Sequence, residues 1–141
     1  MWPRRYQDRL ASWYRLRNSA NQLTLDQYLF DINQWWHATP WTAYHLHWDD
    51  RNCWPDPWQL LEDNVFCSLA RGLGIMYTMS LTPNWNNLDV RLVESGGDNL
   101  VVVGKSKYIL NWQKDQIVNI NLGPVHPQHA LNLSDIIQKI A

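Results

Sequence analysis

The sequence predicts an α+β fold: three N-terminal helices packed on a four- to five-stranded antiparallel meander, with a short C-terminal helix. Three observations predict it. Apolar residues recur at three- and four-residue spacing in three segments, from Pro3 to about Asn18, from Thr24 to His37 and from Asp56 to Leu73. From Leu88 the period changes to two, with Leu88, Val90 and Leu92 alternating with Asp89, Arg91 and Val93. Turn clusters then separate short apolar runs, as hairpins require. Helices first and strands second is the order of an α+β fold.

The first helix is expected from Pro3 to about Asn18. Pro3 suits a first helical turn, and Tyr6, Leu10, Trp13 and Tyr14 keep helical spacing. The second opens at Thr24, with Gln27 three residues later completing a capping box. Leu25, Tyr28, Leu29, Ile32, Trp35 and Trp36 form its apolar stripe, which reads as core. His37-Ala38-Thr39-Pro40 ends it, because the residue before proline resists helical geometry. The third helix starts at Asp56-Pro57-Trp58-Gln59, where Asp56 caps and Pro57 takes the first position. Trp58, Leu61, Val65, Leu69 and Leu73 share a face, and Gly72 and Gly74 supply the stop. A strand is expected directly after, over Ile75–Leu81.

Strands follow at Leu88–Val93, Leu100–Val103, Tyr108–Trp112 and Ile117–Ile120. The turns between them are Ser95–Asn99, Gly104–Lys107 and Gln113–Asp115. The tail holds Pro124 and Pro127, then Leu131, Leu133, Ile136, Ile137 and Ile140, which read as one last helix capped by Ser134. No internal repeat, low-complexity tract or linker interrupts the chain, so residues 1–141 read as one domain.

With 141 residues, 45% hydrophobic and 18% charged, the chain is long enough to bury a core. A formal net charge of −1 argues against a nucleic-acid protein working through overall positive potential. No apolar run approaches ~18–20 residues, so no membrane span is expected. Met1-Trp2-Pro3-Arg4-Arg5 leads into no apolar segment, so no secretory signal is read. Cys53 and Cys67 read as reduced thiols of a protein made in a cytoplasm, with a single bridge left open.

Tryptophan is the outlier, 10 residues against 2 Phe. A domain this small hides only some of ten indoles, each burying ~150–250 Å² when enclosed. Between residues 38 and 57, Trp41, Tyr44, Trp48 and Trp54 are interleaved with His45, His47, Asp49, Asp50, Arg51 and Asp56. Aromatics and Arg dominate binding hot spots, so Trp41, Tyr44, Trp48, Arg51 and Trp54 form the expected interface. The first helix adds Arg4, Arg5 and Arg9, with Arg15 and Arg17, against the single acid Asp8. It reads either as a docking face for an acidic partner or as a solvated face whose stems cover aromatic rings.

Candidate chemistry is sparse. A nucleophilic cysteine wants a helix N-terminus and a nearby histidine, whereas Cys67 is expected about ten residues inside the third helix. His45, His47 and Asp49 alternate, and an extended segment would point all three one way, the start of a metal site that Cys53 or His37 would complete. No second spaced pair accompanies them, so no metal or other cofactor is expected. Glu62 and Asp63 diverge on a helix. No P-loop, GxGxxG or Ser-centred elbow is present.

Two resemblances add to this reading. The order helix, Leu73-Gly74-Ile75, strand, then antiparallel sheet ending in Tyr108-Ile109-Leu110-Asn111 resembles the core of transglutaminase-like domains, over about residues 56 to 112. In that family a cysteine opens the helix, a histidine sits on the next strand and an aspartate on the one after. Here the expected helix opens with Trp58-Gln59, the Leu88–Val93 strand has no histidine and the third slot is Asn111. The resemblance therefore implies the fold without the activity. Separately, the run from Tyr44 to Asp50, with Trp54 to Asn64, is similar to small proteins of contractile-tailed phages of marine cyanobacteria, which implies a virion or host-takeover role.

The expectation is a non-enzymatic interaction or assembly module with a Trp-rich surface and protein partners, in virion or host cytoplasm, not secreted. Two alternatives stay open. One is a divergent hydrolase using Cys67 or His45, His47 and Asp49; the other is an aromatic platform for glycan or single-stranded nucleic acid.

Overall fold

The computed structural model describes residues 2–104, 107–118 and 129–138. Four helices come first: α1 (Tyr6–Asn18), α2 (Leu25–His37), α3 (Pro57–Asp63) and α4 (Ser68–Ser80). Strands β1 (Val90–Ser95), β2 (Asp98–Val103), β3 (Tyr108–Gln113), β4 (Gln116–Val118) and β5 (His129–Asn132) follow, and α5 (Leu133–Ile137) comes last. The strands form one antiparallel sheet in the order β4-β3-β2-β1-β5. The expected α+β architecture is therefore present. Asn119 and Ile120 of the expected fourth strand lie outside the described residues, as do Lys105 and Ser106 of the expected turn, Pro124, Pro127 and Ile140.

Thr24 caps α2 through its hydroxyl, which accepts from the Gln27 N–H at 3.3 Å. The Gln27 side chain turns forward to Asp31 at 2.8 Å, so the reciprocal half of the expected box is not made. Tyr28, Leu29, Ile32 and Trp36 of the expected stripe are fully buried. The chain also makes a full capping box at α5, between Asn132 and Asp135 rather than at Ser134. Residues 129–132, expected in the tail, pair with β1 and add a fifth strand.

The expected third helix is two helices. Asn64 adopts φ 57°, a left-handed C-cap, and its N–H donates to the Leu60 carbonyl. The chain then crosses Phe66, and Cys67 opens α4. Gly72 and Gly74 do not stop this helix, and the strand expected over Ile75–Leu81 is its second half. The reason is burial on every side. All of Gly72–Ser80 is buried, so α4 has no polar face and no amphipathic stripe to announce it.

Its glycines are sites of close approach. A Cβ at Gly72 would lie 2.7 Å from a Leu92 methyl, and one at Gly74 would lie 2.3 Å from the Trp36 ring. α4 thereby seats against α2 on one side and β1, β2 and β3 on the other. One turn beyond Gly74, the Thr78 hydroxyl accepts from the indole N–H of Trp13 (2.9 Å) and of Trp36 (3.0 Å). It donates to the Gly74 carbonyl at 2.8 Å. Its one donor and two acceptor sites are all used. Next along, Thr82 donates to the Thr78 carbonyl, so the Tyr28 hydroxyl is the donor in its 2.6 Å bond to Thr82.

Replacing Thr78 with Val keeps the shape and leaves two buried indole donors without an acceptor. Each orphaned donor costs about 1–3 kcal/mol, so T78V is expected to lower the urea midpoint strongly with an unchanged m-value. T78S, which keeps the hydroxyl, is expected to lose only the smaller contribution of the methyl. Equal midpoints for the two variants would contradict this assignment.

Candidate functional site

The connection from α2 to α3 is fastened at successive points. The Thr42 N–H donates to the Phe66 carbonyl at 2.9 Å, and Trp41 bridges Phe66 in parallel register. The Leu46 N–H approaches the Cys67 sulfur at 3.5 Å. Trp48 donates from its indole to the Asn99 side-chain oxygen at 2.8 Å, and Trp54 donates to the His47 carbonyl at 2.8 Å. Their rings meet edge to face with centroids 5.4 Å apart, and His129 stacks on Trp48 at 5.0 Å. These contacts correct the expected interface. Trp48 (7% exposed) and Trp54 (5%) are interior anchors, because each indole N–H finds its acceptor inside the fold. Arg51, exposed, lies with its guanidinium 5.6 Å from the Trp48 ring.

Trp41 (57% exposed) and Tyr44 (83%) remain outside. With Trp112 (46%) they border a cleft of about 780 Å³ between this connection, the start of α4 and the adjacent end of the sheet. That volume lies within the range of ligand pockets, ~300–1,000 Å³. Cys67 lies at its base, 3% exposed, as the N-cap of α4, and its sulfur accepts from the Ala70 N–H at 3.5 Å. The expectation that Cys67 sits deep inside a helix is thus corrected: Asn64 breaks the helix just before it.

Two carboxamides reach the start of α4 from the sheet. Asn99 on β2 donates to the Ser68 hydroxyl at 3.3 Å. Asn111 on β3 donates to the Ser68 carbonyl (2.9 Å) and the Asn99 carbonyl (2.7 Å). Strand alternation puts Ile109 on the far face, away from the main core, and would send Asn111 the same way. A φ of 66° at Asn111, within an irregular stretch of the β3–β4 pairing, instead turns its amide toward α4. Its N–H is taken by the Asn33 side chain.

Cations gather at the β3–β4 side. Arg71, half-buried, donates from Nε to the Thr39 hydroxyl (2.9 Å) and from Nη2 to the Thr39 and His37 carbonyls. Its guanidinium lies 4.8 Å from the Trp41 ring centroid, and burial lowers its pKa below the usual arginine value. Lys114 stands exposed at the cleft edge. His37 bonds through Nδ1 to the Asn33 carbonyl at 2.8 Å, so that nitrogen carries the proton. Burial, aided by Arg71 and Lys114, pushes the His37 pKa below its usual value. Glu94 and Asp98 line the cleft at the β1–β2 side.

Of the remaining expected residues, His47 lines the cleft and the others do not converge here. Arg9 is buried, and its guanidinium donates to the Leu61 carbonyl (2.8 Å) and the Arg4 carbonyl (2.7 Å), tying the last turn of α3 to the start of α1. It corrects the expected basic docking face. Arg4 and Arg5 are exposed, Arg5 beside Asp8 at 3.8 Å, and Arg17 covers the Trp13 ring at 4.3 Å. His45, His47 and Asp49 are exposed, and a 3₁₀ helix over Trp48–Cys53 ends the alternation that would align them. Among the described residues, no group of three His, Cys, Asp or Glu side chains is placed to hold a metal. No described helix is long and apolar enough to cross a membrane.

Sequence reasoning missed Arg71, Lys114, Trp112 and Asn99 as cleft residues. Arg71 carried a local signal, a lone charge inside the apolar run Leu69–Leu81. Asn99 comes from the β1–β2 hairpin and Trp112 and Lys114 from the β3–β4 hairpin, and only the sheet unites them. Comparison with protein-family models, curated proteins and solved structures finds no match to this chain.

Cys53 is an exposed thiol and Cys67 a buried one, and both are free. A thiol reagent at neutral pH is therefore expected to modify one equivalent rapidly in the folded chain, with Cys67 following far more slowly. C53S is expected to abolish the fast phase. A fast phase persisting in C53S would show Cys67 to be an accessible, activated nucleophile.

Proposed function

We propose that this chain is a non-enzymatic protein-interaction and assembly module that receives its partner at the aromatic rim of the cleft. The observation that carries this reading is the grouping of three exposed rings, Trp41, Tyr44 and Trp112, around one concave site. Exposed aromatic side chains beside a cleft are the usual anchors of a protein contact. We read the resemblance of the runs Tyr44–Asp50 and Trp54–Asn64 to small proteins of contractile-tailed cyanobacterial phages as pointing to a phage-encoded role, as a virion component or a host-takeover factor.

A second reading, a thiol hydrolase on a transglutaminase-like scaffold, is favoured by one observation: Cys67 opens α4, as a cysteine opens the helix in that family. Against it stand Asn99 and Asn111, which reach the same helix start from successive strands. A carboxamide takes up no proton at neutral pH and cannot serve as the base that activates a thiol. His37 and His47 also line the cleft, but among the described residues neither is hydrogen-bonded to Cys67, so binding is the better reading of the cleft.

Mass spectrometry of purified particles and of cross-linked complexes from infected hosts identifies the partner. The W41A/Y44A double variant is expected to weaken that complex by more than about 2 kcal/mol, with its melting temperature unchanged. W48A, in contrast, is expected to lower the melting temperature. Full affinity in W41A/Y44A would overturn the proposal.

A further inference from the structure

Deepening the interaction reading, and resting on it, we infer that the cleft takes an extended peptide segment of a protein partner, seating an acidic side chain against Arg71 and Lys114. Both Nη1 hydrogens of Arg71 are left without a partner among the described residues, while its Nε and Nη2 are fixed to the Thr39 and His37 groups. Among the described residues no carboxylate lies within ion-pair distance of Arg71 or Lys114. A half-buried guanidinium, held in place and lacking a counter-charge, is preorganised for a carboxylate.

The far end of the cleft carries the opposite charge. Glu94 sits at the end of β1 and Asp98 at the start of β2, whereas Lys114 lies in the turn between β3 and β4. In the strand order β4-β3-β2-β1, β3 and β1 are two spacings apart, about 10 Å. An extended chain covers that distance in about three residues. The segment that fits therefore has Asp or Glu at one end, a basic residue about three positions away, and apolar side chains between them against Trp41, Tyr44 and Trp112. Charge complementarity of this kind fixes direction as well as partner.

The test titrates the full chain with acetylated, amidated hexapeptides that share an apolar centre. They carry Glu and Lys three positions apart, or have Gln in place of the Glu, of the Lys, or of both, and tryptophan fluorescence reports binding. The Glu/Lys peptide is expected to bind at least about tenfold more tightly than the Gln/Lys peptide. That preference is expected to shrink in K114M, which removes an exposed side chain and leaves the Arg71 anchor intact. Equal affinity for the Glu and Gln peptides would overturn the inference and leave the aromatic interaction site standing, as would loss of the partner in W41A/Y44A with no peptide bound. A ten-residue oligothymidylate binding more tightly than every peptide would also overturn it, in favour of a single-stranded nucleic acid.

Discussion

Two indoles, a glycine and one hydroxyl fix the interior of this protein. Trp36 occupies the space where a Gly74 side chain would stand, and both Trp36 and Trp13 end on Thr78. The Trp36 ring is held edge to face by Trp13, Trp35 and Phe66, so it has no room to retreat. Indole supplies large apolar area but carries one N–H that must be satisfied when buried. Thr78 satisfies two at once and ties itself to the backbone of its own helix. α4 is thereby locked against α1 and α2 on one side while its other side lies on the sheet.

The cleft inherits its shape from that lock. Cys67 caps α4, and Ser68 and Arg71 belong to its first turn, so the position of the helix sets the floor of the site. Arg71 then holds the end of α2 through Thr39 and His37, and Asn99 holds Trp48. The abundance of tryptophan is resolved by division of labour. Trp13, Trp36, Trp48 and Trp54 are buried with their N–H groups bonded, whereas Trp41, Trp58 and Trp112 face outward. Only Trp41 and Trp112 of the outward set border the cleft.

The fold class was legible because α2 keeps one polar face, which gives a clean period, and because clusters of turn residues mark off the hairpins. Thr24, Asp56 and the Ser95–Asn99 turn were readable for the same local reasons. α4 was not, because a helix covered on every side loses its period, and its two glycines imitate a terminator when they are points of close packing. Asn64 was the available signal for the break, and without it Cys67 reads as helix interior rather than helix start. The aromatic run of residues 41–54 was visible as a group, but composition does not say which rings turn inward. That depends on acceptors such as Asn99, fifty-one residues away from Trp48. The cationic side of the cleft is tertiary in the same sense, since Arg71 and Lys114 come to one cleft only through the packing of helix on sheet.

The central claim is that contact between Trp36 and Gly74, not local helix preference, governs α4. The most direct measurement is the thermal and urea stability of G74A. Alanine is the better helix former by about 1 kcal/mol, whereas an added methyl inside the Trp36 ring contact forces a rearrangement costing about 1–3 kcal/mol or more. The account predicts a net loss of stability with cooperative unfolding retained. A melting temperature equal to or above that of the parent chain would contradict it.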